Sequence, residues 1–178
     1  MGFAHIGADV RISDRAIIYD AHKISIGDHS RIDDLCVVSG KVKIGRNVHI
    51  AVFVNLAGGK GGITVRDFAG ISYGSNIFSQ SDDYSGGALT GPTVPACYTN
   101  VASAPVVIGR HVIVGAGCIV LPGVKIADGC AIGAGSTVIS STQPWGIYVG
   151  TPAARLRERG QELLRLERQY LAESNSNR

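Results

Sequence analysis

Aliphatic side chains recur at every sixth position through most of this 178-residue chain. The cleanest run is 106–139, where Ile108, Val114, Val120, Ile126, Ile132 and Val138 keep strict step. A period of six matches neither the 3.6-residue turn of a helix nor the alternation of a lone strand. It fits a chain that runs straight for two or three residues, turns a corner and repeats. A straight piece that short cannot bury its apolar face alone, so each must stack on an equivalent neighbour. The pattern predicts a solenoid.

The step begins at Ile6, Ile12 and Ile18, slips by two residues at Lys23–Ser25, and resumes at Ile26, Ile32, Val38, Ile44, Ile50 and Leu56. Ala57-Gly58-Gly59-Lys60-Gly61-Gly62 breaks it and reads as a corner loop, because successive glycines do not hold a strand. Val65, Ile71 and Ile77 follow. The 18 hexads, three to a triangular turn, predict about six turns. Residues 78–105 carry no period and hold turn-formers throughout, yet Phe78, Tyr84, Leu89, Val94, Tyr98 and Val101 give them packing groups of their own. A loop of that length in a compact domain points to function, and solenoid corners tolerate such excursions. After Val138 the period decays, and Leu156, Leu163, Leu166 and Tyr170 return at helical spacing. They predict an amphipathic C-terminal helix that starts just after Pro152-Ala153, frays near Ser174, and is weakened by Gly160 by about 1 kcal/mol. The expected organisation is one solenoid over 1–153 with loop 78–105 inserted, then a helix and tail over 154–178.

Composition narrows the function classes. The 24 glycines and 6% aromatic content suit a narrow aliphatic core with tight corners. A net charge of +3 without a long basic run does not suggest nucleic acid. The absence of a signal peptide or long apolar span leads to the expectation of a cytoplasmic protein with no membrane span. Cys36, Cys118 and Cys130 fall four residues after an aliphatic, where Ser30, Ser75 and Ser136 also fall. That place wants a small side chain, so the cysteines read as structural, with no metal or disulfide expected.

The stretch IGRHVIVGAGCIVLPGVKIADGCAIGAGSTVI followed by VGTPA resembles the hexapeptide-repeat acyltransferases, within them the maltose/galactoside acetyltransferase-like group. The segment IFSQSDDYSGGALTGPTVP is similar to members found with surface-polysaccharide biosynthesis. The resemblance implies a left-handed parallel β-helix, an exception to the right-handed crossover rule. It also implies a homotrimer that uses acetyl-CoA, with active sites between subunits. The small residues that let a pantetheine arm lie along the helix edge match Ala116 and Ala134. A phosphate-contacting Lys of the family is Ser140 here, and the Arg after the G-x-P-A corner matches Arg157, with Arg155 close by.

On the acceptor side the family's loop His is missing, since no His lies between His49 and His111. The corresponding stretch is Gln80-Ser81-Asp82-Asp83-Tyr84, so Asp82 and Asp83 are the candidate proton acceptors or ammonium partners, with Tyr84 beside them. An exposed Asp is a weak base, which favours an amine acceptor. Asn55 falls near the family's acceptor-contacting Asn. His49, one residue before an inward aliphatic, should point outward and is a second candidate base; His111 reads as structural. These readings converge on acetyl transfer to a sugar, an amino sugar or nucleotide-linked sugar preferred, with O-acetylation as the alternative. A zinc-dependent carbonic-anhydrase-like protein would need three convergent His, and a non-catalytic scaffold is the remaining rival.

Overall fold

The computed structural model describes residues 2–176. Short parallel strands stack into three sheets that form the faces of a triangular prism, a left-handed parallel β-helix. The first sheet runs from His5–Ile6 through Ile24–Ile26, Val42–Ile44, Ile63–Val65 and Val106–Ile108 to Lys125–Ile126. The second contains Arg11–Ile12, Arg31–Ile32, His49–Ile50, Gly70–Ile71, Ile113–Val114 and Ala131–Ile132. The third runs from Ile17–Ile18 through Val37–Ser39, Asn55–Ala57, Asn76–Phe78 and Ile119–Val120 to Thr137–Val138. The six expected turns are complete, and Gly146–Val149 adds a strand of a seventh to the second sheet.

The hexad aliphatics point inward and stack on one another. Ile26, Val38, Ile50, Leu56, Ile77, Ile108, Val120 and Ile126 are fully buried. Each contributes about 1.5–3 kcal/mol relative to exposure. Cys36, Cys118 and Cys130 are buried free thiols at the small-residue position. Cys36 Sγ lies 2.9 Å from the Ala51 carbonyl and Cys118 Sγ 3.1 Å from the Gly133 carbonyl. Ser30 and Ser75 hydroxyls donate in the same way, to Gly45 and Gly115 carbonyls at 2.8 and 2.9 Å. Burial pushes the Cys36 and Cys118 thiols up, away from the reactive thiolate.

The residue three after the aliphatic turns the corner with a left-handed backbone. Gly117 and Gly135 do this with φ of 68° and 70°, but Leu35, Asn47, Phe53, Phe68 and His111 also adopt it. Each non-glycine residue carries strain on the order of 1 kcal/mol.

Three expectations change. The slip at Lys23–Ser25 is a one-turn 3-10 helix at Ala21–Lys23. Loop 78–105 is clipped at its base by an antiparallel pair, Gln80–Ser81 with Ala102–Ser103. The C-terminal helix does not begin after Pro152-Ala153: Ala154–Glu158 is a strand antiparallel to Gly146–Val149, and the helix spans Leu163–Ser176. The last coil would otherwise present unpaired backbone groups, and an exposed strand carrying Arg155, Arg157 and Glu158 closes that edge. Leu156 therefore belongs to a strand, and Gly160 precedes the helix rather than weakening it.

Candidate active site

The corner between the second and third sheets is built of small residues in its upper coils. Ala116-Gly117 and Ala134-Gly135 stack there, joined by the Gly135 N–H donating to the Ala116 carbonyl at 2.8 Å. All four are exposed, and a Cβ added to Gly117 or Gly135 would meet nothing within 4 Å. A flat open ridge results, the form a slender arm needs to lie against the coil. One coil down, Tyr73 occupies the position of Ala116 and is exposed, so the ridge ends on its ring. The Gly117 N–H donates to the Tyr73 carbonyl at 2.8 Å, which fixes that stacking.

Two clefts adjoin at the start of the long loop. One, about 490 Å³, is lined by Phe78, Asp82, Tyr84, Ile119, Leu121 and Thr137. The other, about 380 Å³, is lined by Ser81, Asp82, Pro92, Val94, Thr99 and Val101. Asp82 borders both, is half-buried, and its carboxylate has no partner among the described residues. Asp83 behaves differently. Its Oδ1 accepts the Ser85 backbone N–H at 2.7 Å, and that bond, with further ones to the Ser85 and Asn100 side chains, holds its carboxyl below the usual range. The adjacent pair therefore divides into a turn-forming Asp83 and a free Asp82. Tyr84 reaches into solvent at the rim of the first cleft, and Asn55 lies half-buried on the outer face of the third sheet beside Asn76.

His49 points outward from the second sheet, half-exposed, as its place before Ile50 requires. Its Nε2 lies 2.8 Å from Oδ2 of Asp33, a carboxylate 16 positions away that no motif in the sequence marks. Burial opposes ionisation of Asp33, yet hydrogen bonds and positive charge from His49 and Arg31 bring its carboxyl below the ordinary value. Beyond His49 is a notch of about 170 Å³ lined by Gly70, Ser72, Tyr73 and Ile113.

Above the ridge, Arg155 pairs with Glu158 at 2.7 Å, and Arg157 stands opposite Ile147 on the edge strand. Ser140 is exposed just past the last third-sheet strand. Arg159 was invisible as a fold residue. Its Nη1 donates to the carbonyls of His111, Gly129 and Cys130 at 2.7, 3.0 and 3.0 Å, tying the chain to the corner before the helix. His111 is buried against Glu167 of the C-terminal helix, as a structural residue should be. Among the described residues no three His, Cys, Asp or Glu side chains converge as metal ligands, and no helix is long and apolar enough to cross a membrane.

Residues 105–140 match the bacterial transferase hexapeptide (six repeats) family. Over 170 residues, 94% of this chain and 88% of the other, the sequence is 45% identical to the dTDP-4-amino-4,6-dideoxy-D-glucose acyltransferase of Escherichia coli. AntD, an N-acyltransferase from Bacillus cereus solved with dTDP and 3-hydroxybutyryl-CoA, superimposes with a TM-score of 0.96 at 45% identity, covering 98% of this chain and 93% of AntD. A putative lipopolysaccharide biosynthesis O-acetyl transferase, WbbJ of Escherichia coli K12, is 28% identical over 70% of this chain and 61% of its own. The chain belongs to the hexapeptide-repeat acyltransferases.

Proposed function

We propose that this enzyme transfers an acyl group from an acyl-CoA to the amine of a nucleotide-linked amino sugar. The observation that carries the reading is Asp82, a half-buried carboxylate between two clefts with no partner among the described residues. A carboxylate there holds the acceptor's ammonium on arrival and directs the neutral amine once the proton is lost. The amine nitrogen attacks the thioester carbonyl, a C–N bond forms, the C–S bond breaks, and the nitrogen's proton leaves as the thiol departs. Orientation supplies most of the acceleration, so no strong base is required. The Escherichia coli relative acts on a dTDP-linked 4-amino sugar, AntD was solved with dTDP and 3-hydroxybutyryl-CoA, and a serine variant of it with a dTDP-linked 4-amino sugar and coenzyme A; all support this acceptor and donor class. Acetyl-CoA is the simplest donor of that class. Ala116 and Ala134 are the ridge for its pantetheine arm, with Ser140, Arg155 and Arg157 towards its phosphates. Asn55 and Tyr84 flank the acceptor.

The spacing of two residues sharpens the site. Solved variants of AntD replace one serine and one aspartate that stand ten positions apart in that chain. In this sequence Ser72 and Asp82 are the one Ser–Asp pair at that spacing. Ser72 sits at the corner after the second sheet, and Asp82 follows the third-sheet strand Asn76–Phe78. One chain thus holds them at opposite ends of a face. We take one acceptor to meet Ser72 of one copy and Asp82 of the next, and the exposed Leu35 and Phe53 offer an apolar surface for that contact. We take the working unit to be a homotrimer, acting in the cytoplasm on a sugar destined for a surface polysaccharide.

The test is thiol release from acetyl-CoA with dTDP-4-amino-4,6-dideoxyglucose against its 4-hydroxy counterpart. Amide formation with the amino sugar is expected, and the product should resist hydroxylamine. No release above background with the amino sugar, from acetyl-CoA or from a longer acyl-CoA, would sink the reading. A hydroxylamine-labile product from the hydroxyl sugar alone would establish O-acyl transfer, which the similarity to WbbJ favours.

A further inference from the structure

Gly70 has no evident reason to be glycine in this chain. It lies within a second-sheet strand, in register between His49 and Ile113, and its φ is not positive. A Cβ there would meet nothing within 4 Å. The corner glycines Gly7, Gly45 and Gly109 differ, since a Cβ on each would strike the neighbouring coil. Glycine weakens a strand and packs nothing, so an open glycine in a strand pairing marks a place where something outside the chain approaches. Its missing side chain makes the notch between His49 and Ile113.

Three features give that notch a chemistry. It opens beside Ser72 and Tyr73, where the ridge of Ala134 and Ala116 ends. Its wall is apolar on one side, Ile113. On the other side stands His49, with Ala51 of the same coil, held by Asp33 through Nε2 and with Nδ1 making no hydrogen bond among the described residues. At roughly 30 Å³ per water, its volume of about 170 Å³ equals that of a handful of waters. That suits a chain of a few carbons.

Resting on the acyl-CoA reading above, we propose that the notch over Gly70 seats the acyl chain of the donor. The preferred donor is then a short hydroxyacyl-CoA rather than acetyl-CoA, with Ile113 against the chain's carbons and His49 Nδ1 bonded to its hydroxyl. Asp33 acts as a positioning residue, fixing which ring nitrogen faces the notch. His49 thereby serves the donor rather than the acceptor's proton.

The experiment measures kcat/KM for acetyl-, butyryl-, 3-hydroxybutyryl- and hexanoyl-CoA with the dTDP-linked amino sugar. Wild type should prefer 3-hydroxybutyryl-CoA to acetyl-CoA. Gly70→Val, which puts a β-favouring residue where a Cβ meets open space, should lower the 3-hydroxybutyryl-to-acetyl ratio at least tenfold. Ile113→Ala, at an exposed site, should raise the hexanoyl-to-acetyl ratio several-fold. His49→Phe should remove the preference for 3-hydroxybutyryl over butyryl. A thermal melt and the oligomer mass accompany each variant. Ratios that stay at wild-type values in Gly70→Val overturn the proposal, and so do equal losses for every donor with a changed oligomer mass, which assign the notch to a subunit contact. Wild type that turns over no acyl-CoA at all overturns the functional reading itself. Turnover with acetyl-CoA but an unmoved ratio defeats the notch alone.

Discussion

Asp82 and Asp83 are chemically identical neighbours with different work to do. Asp83 spends an oxygen on the Ser85 N–H, a local bond that an Asn side chain can largely reproduce. Asp82 spends none among the described residues, and a free carboxylate bordering two clefts matters for its charge. Asp82→Asn should therefore lose about tenfold or more in kcat/KM for the amino sugar while acyl-CoA binding and melting temperature stay near wild type. Asp83→Asn should stay within a few-fold. Steady-state kinetics on both variants decide this, and the reverse order of effects would move the acceptor contact to Asp83. Among the left-handed corner residues, the strain at Asn47, Phe68 and His111 coincides with contacts to the C-terminal helix. Asn47 donates to the Tyr170 hydroxyl at 3.0 Å, Phe68 meets Tyr170 edge-on at 6.2 Å, and His111 stacks on Phe68 at 5.4 Å.

At the scale of elements, the charged fastening of that helix is the Glu167 carboxylate. Glu167 accepts from His111 Nε2 at 3.0 Å and from Arg110 Nη2, and Arg110 also lies over the Phe68 ring. Burial works against the charge on Glu167, but the bonds and charges of Arg110 and His111 outweigh it and hold the carboxyl below its usual value. A carboxyl with a depressed folded pKa stabilises the fold above its unfolded pKa. That contribution is lost as pH falls through the folded value. Acidification below the ordinary carboxylate range should loosen the helix first, and Glu167→Gln should lower stability by about 1–3 kcal/mol at neutral pH with a flatter acid profile. Urea melts from pH 7 downwards check it; parallel profiles for wild type and variant would remove Glu167 from the account. The ridge is a second element-scale feature. Ala116→Tyr or Ala134→Tyr places a ring on an exposed corner without touching the core, so CoA affinity should fall tenfold or more with the melting temperature kept. Unchanged CoA affinity in either, measured by calorimetry, would put the groove elsewhere.

At the scale of the molecule, the prism leaves Leu35 and Phe53 partly or largely in water, and a second copy would cover them. Light scattering at micromolar concentration should give three times the chain mass of 18.6 kDa. A monomer mass would remove both the trimer and a site shared between copies. The shared site has its own test. Ser72→Ala and Asp82→Ala are each expected to be nearly inactive, and co-refolding the two should restore a fraction of activity, because some interfaces then join an intact Ser72 to an intact Asp82. No recovery in mixtures shown by mass to contain both chains would put the two residues in one subunit's site.

The hexad period determined the coil, its inward side chains and its number of complete turns, because a stacked strand of two or three residues has one inward position and repetition makes that position visible. The turn chemistry marked the long loop, and the small-residue position assigned Cys36, Cys118 and Cys130 to the wall of the prism. The resemblance in 106–153 carried the handedness, which no periodicity encodes. What folds back was hidden. Residues 154–158 read as helix because Leu156 and Leu163 suit a helical face, while the unpaired edge at Gly146–Val149 drew that stretch into a strand. Asp33 could not be matched to His49, nor Glu167 to His111, from a one-dimensional list, since these bonds join residues 16 and 56 positions apart. The division between Asp82 and Asp83 rests on which carboxylate the Ser85 N–H reaches. The notch at Gly70 exists because neighbouring coils bring His49 and Ile113 to either side of it, a juxtaposition that only stacking decides.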